Sequence, residues 1–449
     1  MASSRKLPQN HKSGKRIAVA LSGGLDSVVL LDTVCKAQVF QSQKIEHIWV
    51  FHIHHGLQKP ADQWLEFCEK LTAQYQKKKY PITFDFRLLH LGDGQNGNIE
   101  ARARAARYEA LADLCVEHHI QDLLLAHHQN DQAETILLQL LRGAGVAGLS
   151  AMPSERLMTE SHSPITIWRP LLGESRESLE VYAKTHRLKW IEDPSNLHTR
   201  YRRNALRQEI IPRLGKIQPE AVSNLARSAQ LLGDAQVLLD RLAQTDGKTI
   251  LNQDHLKLKP LLQLEKQDLA AANNVVRYWL KQQNLAMPSQ ERLQAWWNDL
   301  KKVEAHAQLK WLHDDHEIVL WRNQLSVLQT ASHQSWGQWV FTPLPVRSKA
   351  LGLSLEYVNQ AIASEGIEER PRSGAERLQL RANTPRKTLK NLFQENDVPP
   401  WQRQAPLLFI HGELIAVAGL GTSFPHLSTS GKRVLPEWKP ANTAQNRVK

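Results

Sequence analysis

The chain has 449 residues, 41% of them hydrophobic, which is enough for two or three domains with sizeable cores. No apolar run approaches the length of a membrane span, and the basic, polar start lacks the apolar segment of a secretion signal. We therefore expect a cytoplasmic protein with no membrane partner. The net charge of +12 favours a polyanionic partner, with nucleic acid as the first candidate.

The first predicted strand is the apolar run Ile17–Leu21, and an apolar-rich helix follows from Asp26. The intervening turn, Ser22-Gly23-Gly24, places backbone amides at a helix N-terminus, where an anion binds favourably. No lysine follows the glycines, so the turn is not a Walker A loop. Its hydroxyls and amides can hold a pyrophosphate, and Asp26 can help to hold the accompanying Mg²⁺. The alternative is an ordinary serine–glycine turn that caps a helix.

This string, SGGLDS, resembles the PP-loop of the ATP pyrophosphatases, which split ATP between the α and β phosphates and leave AMP on the substrate. The resemblance implies that the loop binds ATP. The residues concerned are Ser22, Gly23, Gly24, Leu25, Asp26 and Ser27.

Strands and helices alternate through the next hundred residues. Further strands are predicted at Ile45–Ile53, Ile82–Leu88 and Asp122–His128, and helices at Ala61–Gln76, Asn98–Ile120 and Asp131–Leu141. This alternation predicts an α/β fold with a mainly parallel sheet and helices on both faces. Ligands bind at the carboxyl ends of such strands. The SGGLDS loop, the HHG segment after the second strand and the segment His127–Thr135 should therefore share one edge of the sheet.

Two carboxylates, Asp131 and Glu134, lie three residues apart on the first turn of a predicted helix. Such a pair can hold a metal, or bind an ammonium group and take its proton; the alternative is that Asp131 caps the helix. Upstream, Arg104 and Arg107 lie on one helical face and can clamp phosphates. The alternative there is a solvated basic surface.

Histidines and cysteines do not form a metal-binding pattern in this sequence. The three cysteines, Cys35, Cys68 and Cys115, lie far apart in predicted helices, which favours reduced core side chains. Without a cysteine pair, the histidines at strand ends are expected to form hydrogen bonds, not a zinc site. The GxGxxG match at Gly143–Gly148 follows a helix, so we interpret it as a glycine-rich helix exit, not a dinucleotide site.

Three domains are predicted, at residues 1–215, 216–350 and 351–435. A basic helix before the second domain should end at Pro212, and Glu317–Gln329 predicts a hairpin with its turn at Asn323-Gln324. Residues 330–350 are predicted to be a linker, and Lys432–Lys449 an unstructured tail. Basic stretches at 200–216, which contains Arg203 and Arg207, and at 370–403 contain aromatics that could stack on RNA. These aromatics are Tyr201, Phe393 and Trp401.

Taken in order, seven strings resemble the tRNA(Ile)-lysidine synthetase family: SGGLDS, HHGLQ, ARARAARY, AHHQNDQAETILLQLLRGAGVAGLSAM, RPLL, EDPSN and RRNALRQEIIP. The resemblance implies a PP-loop domain, a helical middle domain and a small α+β C-terminal domain. It implies that ATP and Mg²⁺ are used to join free L-lysine to carbon 2 of the wobble cytidine in an isoleucine tRNA with a CAU anticodon. A homodimer remains an open expectation for the assembly.

The resemblance also implies residue roles. Asp26, Asp131, Glu134, Arg107 and His127 would be catalytic, His55 and Arg104 would join the loop in binding ATP, and Asp26 would bind Mg²⁺. Two departures from the family's usual residues are Gln58 and Asn130.

Three other functions compete with this interpretation. A tRNA thiolase on the same scaffold often carries CxxC pairs, and this chain has none. A non-catalytic RNA-binding protein would not need Asp26, Asp131 and Glu134. An amide-forming ligase acting on a small molecule would have no use for the two basic stretches.

Overall fold

A six-stranded sheet forms the centre of the first part of the chain. Its strands are β1 (Lys15–Ala20), β2 (Ile45–His54), β3 (Ile82–Leu88), β4 (Asp122–Leu124), β5 (Glu155–Leu157) and β6 (Thr166–Trp168). They lie in the order β3-β2-β1-β4-β6-β5, and every pair is parallel except β5 with β6. The predicted mainly parallel α/β sheet is therefore confirmed.

Helices cover both faces of this sheet. They are α1 (Leu25–Lys36), α2 (Ala61–Lys77), α3 (Ile99–Glu117), α4 (Gln129–Leu140), α5 (Val146–Leu149) and α6 (Arg176–Thr185). Side chains of a strand alternate between faces, so Ile17 and Val19 of β1 pack into the core that contains α1. Ala18 points to the other face and packs into the core that contains α3.

Strand β4 is shorter than the predicted Asp122–His128. Leu125 still donates its N–H to the carbonyl of Trp168 at 2.8 Å, but His127 and His128 lie beyond the strand. They leave the ladder because His128 is the N-cap of α4. Both histidines therefore lie at the carboxyl edge of the sheet.

The basic helix does not end at Pro212, as the sequence predicted. It consists of α7 (Arg202–Ala205), a π-helical turn (Leu206–Ile210) and α8 (Ile211–Ile217). In a regular α-helix Pro212 would clash with the carbonyl four residues earlier. The π turn widens the helix just before the proline, with Ile211 N–H bonded to Leu206 O, so the helix can continue.

The middle of the chain combines helices with a five-stranded antiparallel sheet, of which the sequence indicated only one hairpin. The helices are α9 (Ala221–Asp246), α10 (Leu258–Gln267), α11 (Leu269–Gln282) and α12 (Gln290–Lys301). The strands are β7 (Leu251–Asn252), β8 (His255–Lys257), β9 (Leu309–His313), β10 (His316–Trp321) and β11 (Gln324–Gln329), in the order β7-β8-β11-β10-β9. Trp279 and Trp297 are fully buried in the core between them.

The predicted hairpin exists as β10 and β11, but its turn lies one residue earlier, at Arg322-Asn323. Both turn residues have positive φ, +48° and +61°. Two positive φ values in a two-residue loop match the twist of the flanking strands, and asparagine tolerates this conformation. The turn is therefore centred on Asn323 and the residue before it.

The predicted linker and tail both contain strands. Strand β12 (Gly337–Pro343) lies within residues 330–350, and β20 (Arg433–Pro440) lies within the segment predicted to be unstructured. The two strands pair along their whole length, and β20 also pairs with β13 (Leu353–Ser354). Neither segment has a strong strand pattern in its own sequence. Each is stabilised as a strand by pairing with a partner about a hundred residues away.

The remaining elements form the C-terminal part of the chain. They are α13 (Leu355–Ala363), β14 (Ile367–Arg370), β15 (Arg377–Leu378), β16 (Lys387–Thr388), α14 (Leu389–Glu395), β17 (Leu407–Ile410), β18 (Glu413–Val417) and β19 (Gly421–Thr422). Strands β14, β17, β18 and β19 form one antiparallel sheet, and β15 pairs with β16. The predicted strands in PLLFIHG and LIAVAGL are confirmed as β17 and β18.

The chain divides into two compact units, Met1–Leu242 and Ala243–Lys449. The predicted domain limits at residues 215, 350 and 435 stay a prediction. The computed structural model describes residues 15–36, 45–54, 61–89, 99–158, 163–192, 202–252, 255–303, 309–329, 337–345 and 348–440. Within these ranges, no helix has the length and apolar content needed to cross a bilayer.

Candidate active site

The turn between β1 and α1 requires glycine and pairs two serine hydroxyls. Gly23 has φ +87°, and a Cβ there would lie 3.3 Å from Sγ of Cys68. Ser22 Oγ lies 3.1 Å from Ser27 Oγ and accepts the N–H of Gly24 at 3.4 Å. Ser27 Oγ also donates to Gly24 O at 3.0 Å. The predicted strand–turn–helix context is confirmed, and the hydroxyls meet at the helix N-terminus, where an anion is favoured.

Asp26 lies in the first turn of α1 and keeps one carboxylate oxygen free. Its Oδ2 lies 3.5 Å from Nε2 of His128. Its Oδ1 is buried and has no hydrogen-bond partner in the described part of the chain. Carboxylate oxygens are the protein ligands that Mg²⁺ uses beside phosphates. The unpaired oxygen beside the loop therefore fits the predicted Mg²⁺ ligand.

His128 and Asp131 cap helix α4 reciprocally. His128 Nδ1 accepts the N–H of Asn130 at 3.2 Å, and Asp131 Oδ2 accepts the N–H of His128 at 3.0 Å. The alternative interpretation of Asp131, a residue that caps the helix, is thus confirmed. Burial lowers the pKa of His128, but the hydrogen bond to Asp26 and the charges of Asp131 and Asp26 outweigh it and raise the pKa.

Glu134 is fully buried and bound by two arginines that sequence reasoning assigned to RNA contacts. Its two oxygens accept from Nε of Arg203 at 2.7 Å and from Nε of Arg207 at 2.5 Å. Arg203 Nη2 also donates to Asp131 Oδ1 at 3.2 Å. Only residue spacing could have indicated this pairing from the sequence. Arg203 and Arg207 are four residues apart and share one face of a helix, and Asp131 and Glu134 likewise share one face.

These contacts shift the pKa values of Asp131 and Arg207. Burial raises the pKa of Asp131, but the charges of His128 and Arg203 and the hydrogen bond from the His128 backbone outweigh burial, so the pKa is lowered. Burial lowers the pKa of Arg207, while the hydrogen bond that it donates to Glu134 raises the pKa above its ordinary value. Both shifts favour the charged forms of Asp131 and Arg207, which lie 3.6 Å apart as an ion pair.

A second group of arginines surrounds Tyr108, whose ring is almost fully buried. The guanidinium carbons of Arg104, Arg107 and Arg156 lie 5.2, 5.8 and 5.3 Å from the ring centroid. Arg169 hydrogen-bonds to the same tyrosine. Burial raises the pKa of Tyr108, and the surrounding arginines lower it below its ordinary value. Sequence reasoning found Arg104 and Arg107, but it missed Arg156 and Arg169, which lie about fifty residues further along the chain.

The two groups meet at His127. Its Nδ1 accepts from Nε of Arg169 at 3.2 Å. Burial lowers the pKa of His127 to about 3; Asp131 opposes this shift, and the charges of Arg169, Arg203 and Arg107 reinforce it. His127 is therefore a neutral ring between the acidic pair and the arginines.

Several other predicted residues have clear positions. Asn130 Oδ1 accepts the N–H of Arg176 at 3.1 Å and so supports the start of α6. His52 hydrogen-bonds to Leu21 O, and His54 to Asp62, as expected for non-metal histidines. The three cysteines are free and buried, as predicted. The predictions for His55, Gln58 and Tyr201 fall outside the described residues.

The C-terminal basic stretch lacks one of its predicted stacking groups. Phe393 is 1% exposed and lies in the core under Arg372 and Arg403, so it has no face for a base. Trp401 packs edge-on against Trp321 at 6.4 Å. The prediction that Phe393 stacks on RNA is therefore wrong, because the helix that carries it buries its apolar side.

Comparisons with known proteins identify three segments. A PP-loop domain model matches residues 1–214, a TilS substrate binding domain model matches residues 260–326, and a TilS substrate C-terminal domain model matches residues 367–436. The tRNA(Ile)-lysidine synthase of Nitrosomonas europaea is 33% identical and covers 97% of this chain and 94% of the relative. The proteins of the same name from Burkholderia pseudomallei and Coxiella burnetii are 34% and 35% identical, and each covers 91% of this chain and 89% of the relative. The chain therefore belongs to the tRNA(Ile)-lysidine synthase family.

Proposed function

We propose that the protein uses ATP to join free L-lysine to carbon 2 of the wobble cytidine in an isoleucine tRNA with a CAU anticodon. The product is lysidine, which switches codon reading to AUA, and AMP and pyrophosphate are released. The observation that carries this proposal is the pairing of Asp26 with His128. That contact joins the phosphate-binding loop to the capped helix that carries the buried acidic pair. A nucleotide site and an acidic site of this kind are what the two chemical steps require.

In the first step, the cytosine carbonyl oxygen attacks the α-phosphate of ATP, and the bond to the β-phosphate breaks. The hydroxyls of Ser22 and Ser27 and the amides of the loop hold the phosphates. Asp26 would hold Mg²⁺ through its free Oδ1. When bound, Mg²⁺ neutralises charge on the leaving pyrophosphate. Arg107 supplies positive charge from helix α3. Arg104 and His55 are the proposed ATP-binding residues outside the loop.

In the second step, the ε-amine of lysine attacks carbon 2, and the carbon–oxygen bond to AMP breaks. The amine must first lose a proton, since its ordinary pKa is about 10.4. Asp131 and Glu134 are the proposed acceptors of the ammonium and its proton. Arg203 and Arg207 already bind both acids, so the incoming ammonium shares or replaces a guanidinium contact. His127 contributes a hydrogen bond and does not act as an imidazolium acid, because its pKa of about 3 keeps the ring neutral.

Positively charged side chains of the C-terminal basic stretch, residues 370–403, bind the tRNA. Exposed cations of the C-terminal stretch, such as Arg381 and Arg386, suit contacts with the phosphate backbone. A wobble base lies in a single-stranded loop, from which it can be unstacked cheaply. The cytoplasm as the location and a homodimer as the assembly remain part of this proposal.

Incubation with ATP, Mg²⁺, radiolabelled lysine and a set of tRNAs tests the function. Label should enter only the isoleucine tRNA with a CAU anticodon, with one AMP and one pyrophosphate for each lysine. Asp26→Ala should abolish labelling while tRNA binding persists, and Asp113→Ala, an exposed acid of α3, should leave labelling unchanged. Label that enters tRNA whatever its anticodon, or none at all, would overturn the proposal. No labelling by the parent, with tRNA binding equal in the parent and Asp26→Ala, would instead favour a non-catalytic RNA-binding protein.

A further inference from the structure

Arg169 is a buried arginine with a single fixed orientation. It is 4% exposed and follows β6 directly. Its Nη1 donates to Pro153 O at 2.7 Å, and its backbone N–H donates to Ser154 O at 2.9 Å. A further hydrogen bond joins its guanidinium to Tyr108. These contacts leave the Nε–H pointing at one partner, Nδ1 of His127, at 3.2 Å.

This contact determines the tautomer of His127. A guanidinium has five N–H donors and no acceptor, so Nδ1 of His127 must accept and cannot carry a proton. A neutral imidazole then carries its single proton on Nε2. The doubly protonated ring is excluded for the same reason, since its Nδ1–H would face the Nε–H of Arg169.

The charges around His127 come from every element packed against it. Arg107 of α3, Arg203 of α7 and Arg169 disfavour protonation of the ring, and Asp131 of α4 favours it. Burial and the three arginines prevail, which is consistent with the neutral tautomer. Within the described residues, no protein group hydrogen-bonds to Nε2 of His127, so its N–H is available to a ligand.

We propose that Arg169 is a positioning residue that holds His127 as a neutral Nε2–H donor toward an oxygen of the reacting nucleotides. The inference rests on the proposed function for the identity of the acceptor. Two oxygens share the required chemistry, a phosphate oxygen of ATP and the carbonyl oxygen of the target cytosine. A donor fixed before the substrate arrives stabilises developing negative charge without reorganisation.

Nitrogen-15 NMR of the histidine rings tests the tautomer directly, independently of any lysine transfer. The His127 ring in the whole protein should show Nε2–H and an unprotonated Nδ1, with no change between pH 8 and pH 5. Arg169→Gln should release the ring, which then titrates nearer its ordinary pKa of 6.5. Arg156→Gln removes another arginine beside Tyr108 and is the matched control, so it should leave the His127 signals unchanged. Arg169→Met, which has no N–H donor in its side chain, serves with the same expected release of the ring if Arg169→Gln does not fold.

Kinetics of His127 variants test the donor role. A glutamine side chain can accept from Arg169 through its carbonyl oxygen and donate through its amide, so His127→Gln should keep kcat within about 3-fold of the parent. His127→Ala should lower kcat/KM by about 100-fold. Weaker ATP binding by His127→Ala without tRNA would indicate a phosphate acceptor, and unchanged ATP binding with lower kcat would indicate the cytosine. An Nδ1–H ring in the parent, or equal loss in His127→Gln and His127→Ala, would overturn the proposal.

Discussion

Replacing Glu134 by glutamine should destabilise the first unit strongly, because it removes the counter-charge of two arginines. Charge-assisted hydrogen bonds contribute about 1.5–3 kcal/mol each, and breaking a buried ion pair costs about 3–5 kcal/mol. Arg203 and Arg207 are 26% and 32% exposed, so water recovers part of this loss. We therefore expect Glu134→Gln to lower the free energy of unfolding by about 2–3 kcal/mol. For a unit of this size, Tm should fall by about 5–10 °C.

Thermal unfolding followed by circular dichroism measures this change. Glu180→Gln is the matched control, since Glu180 forms one exposed helical ion pair with Arg176 and should shift Tm by less than about 2 °C. The double variant Glu134→Gln/Arg207→Gln should lose less stability than the sum of the losses of the two single variants, because it removes one of the two guanidiniums that Glu134→Gln leaves without a counter-charge. A Tm for Glu134→Gln equal to that of the Glu180→Gln control would refute the reasoning.

Three further predictions concern the loop, His127 and the C-terminal cations. Gly23→Ala should lower ATP affinity at least tenfold in a nucleotide-binding assay. Gly23 has a φ of +87° and lies close to Cys68, so a Cβ at this position would strain the loop. Unchanged affinity would contradict this account of the loop. Between pH 6.5 and pH 3, His127 takes up a proton in the unfolded state but not in the folded state, so the free energy of unfolding of the parent should fall as the pH drops. Denaturant titrations should show that His127→Gln reduces this slope of stability against pH by up to ~1.4 kcal/mol per pH unit. Arg381→Gln/Arg386→Gln should weaken tRNA binding and reduce its salt dependence while ATP affinity stays constant, and an unchanged salt slope would place the tRNA contacts elsewhere.

Local pattern in the sequence was sufficient for the sheet and for the loop. The strand at Ile17 and the glycine turn after it are specified by neighbouring residues, and β3 has the predicted bounds, Ile82–Leu88. The parallel pairing of the strands, and the edge of the sheet at which a ligand is expected, follow from the alternation of elements. The cap at Asp131 was likewise predictable, because capping is a local interaction.

The rest of the site depends on contacts between distant residues. Arg203 pairs with Glu134 across sixty-nine positions, and nothing in a basic helix distinguishes an arginine bound to protein from one that faces RNA. Arg169 reaches His127 across forty-two positions, in the same way. The burial of Phe393 also follows from tertiary packing, since its amphipathic helix is equally compatible with an exposed aromatic.

The position of β20 has a consequence for biosynthesis of the protein. This strand lies between β12 and β13, so neither partner has its neighbour until the ribosome has passed Pro440. Until then, β12 presents an unpaired edge that carries Trp339 and Phe341, the kind of edge that associates with other chains. Premature termination before residue 433 would leave this edge permanently open. Such truncated chains should therefore accumulate as aggregates, even though the sheet around the ATP loop contains no residue from this region.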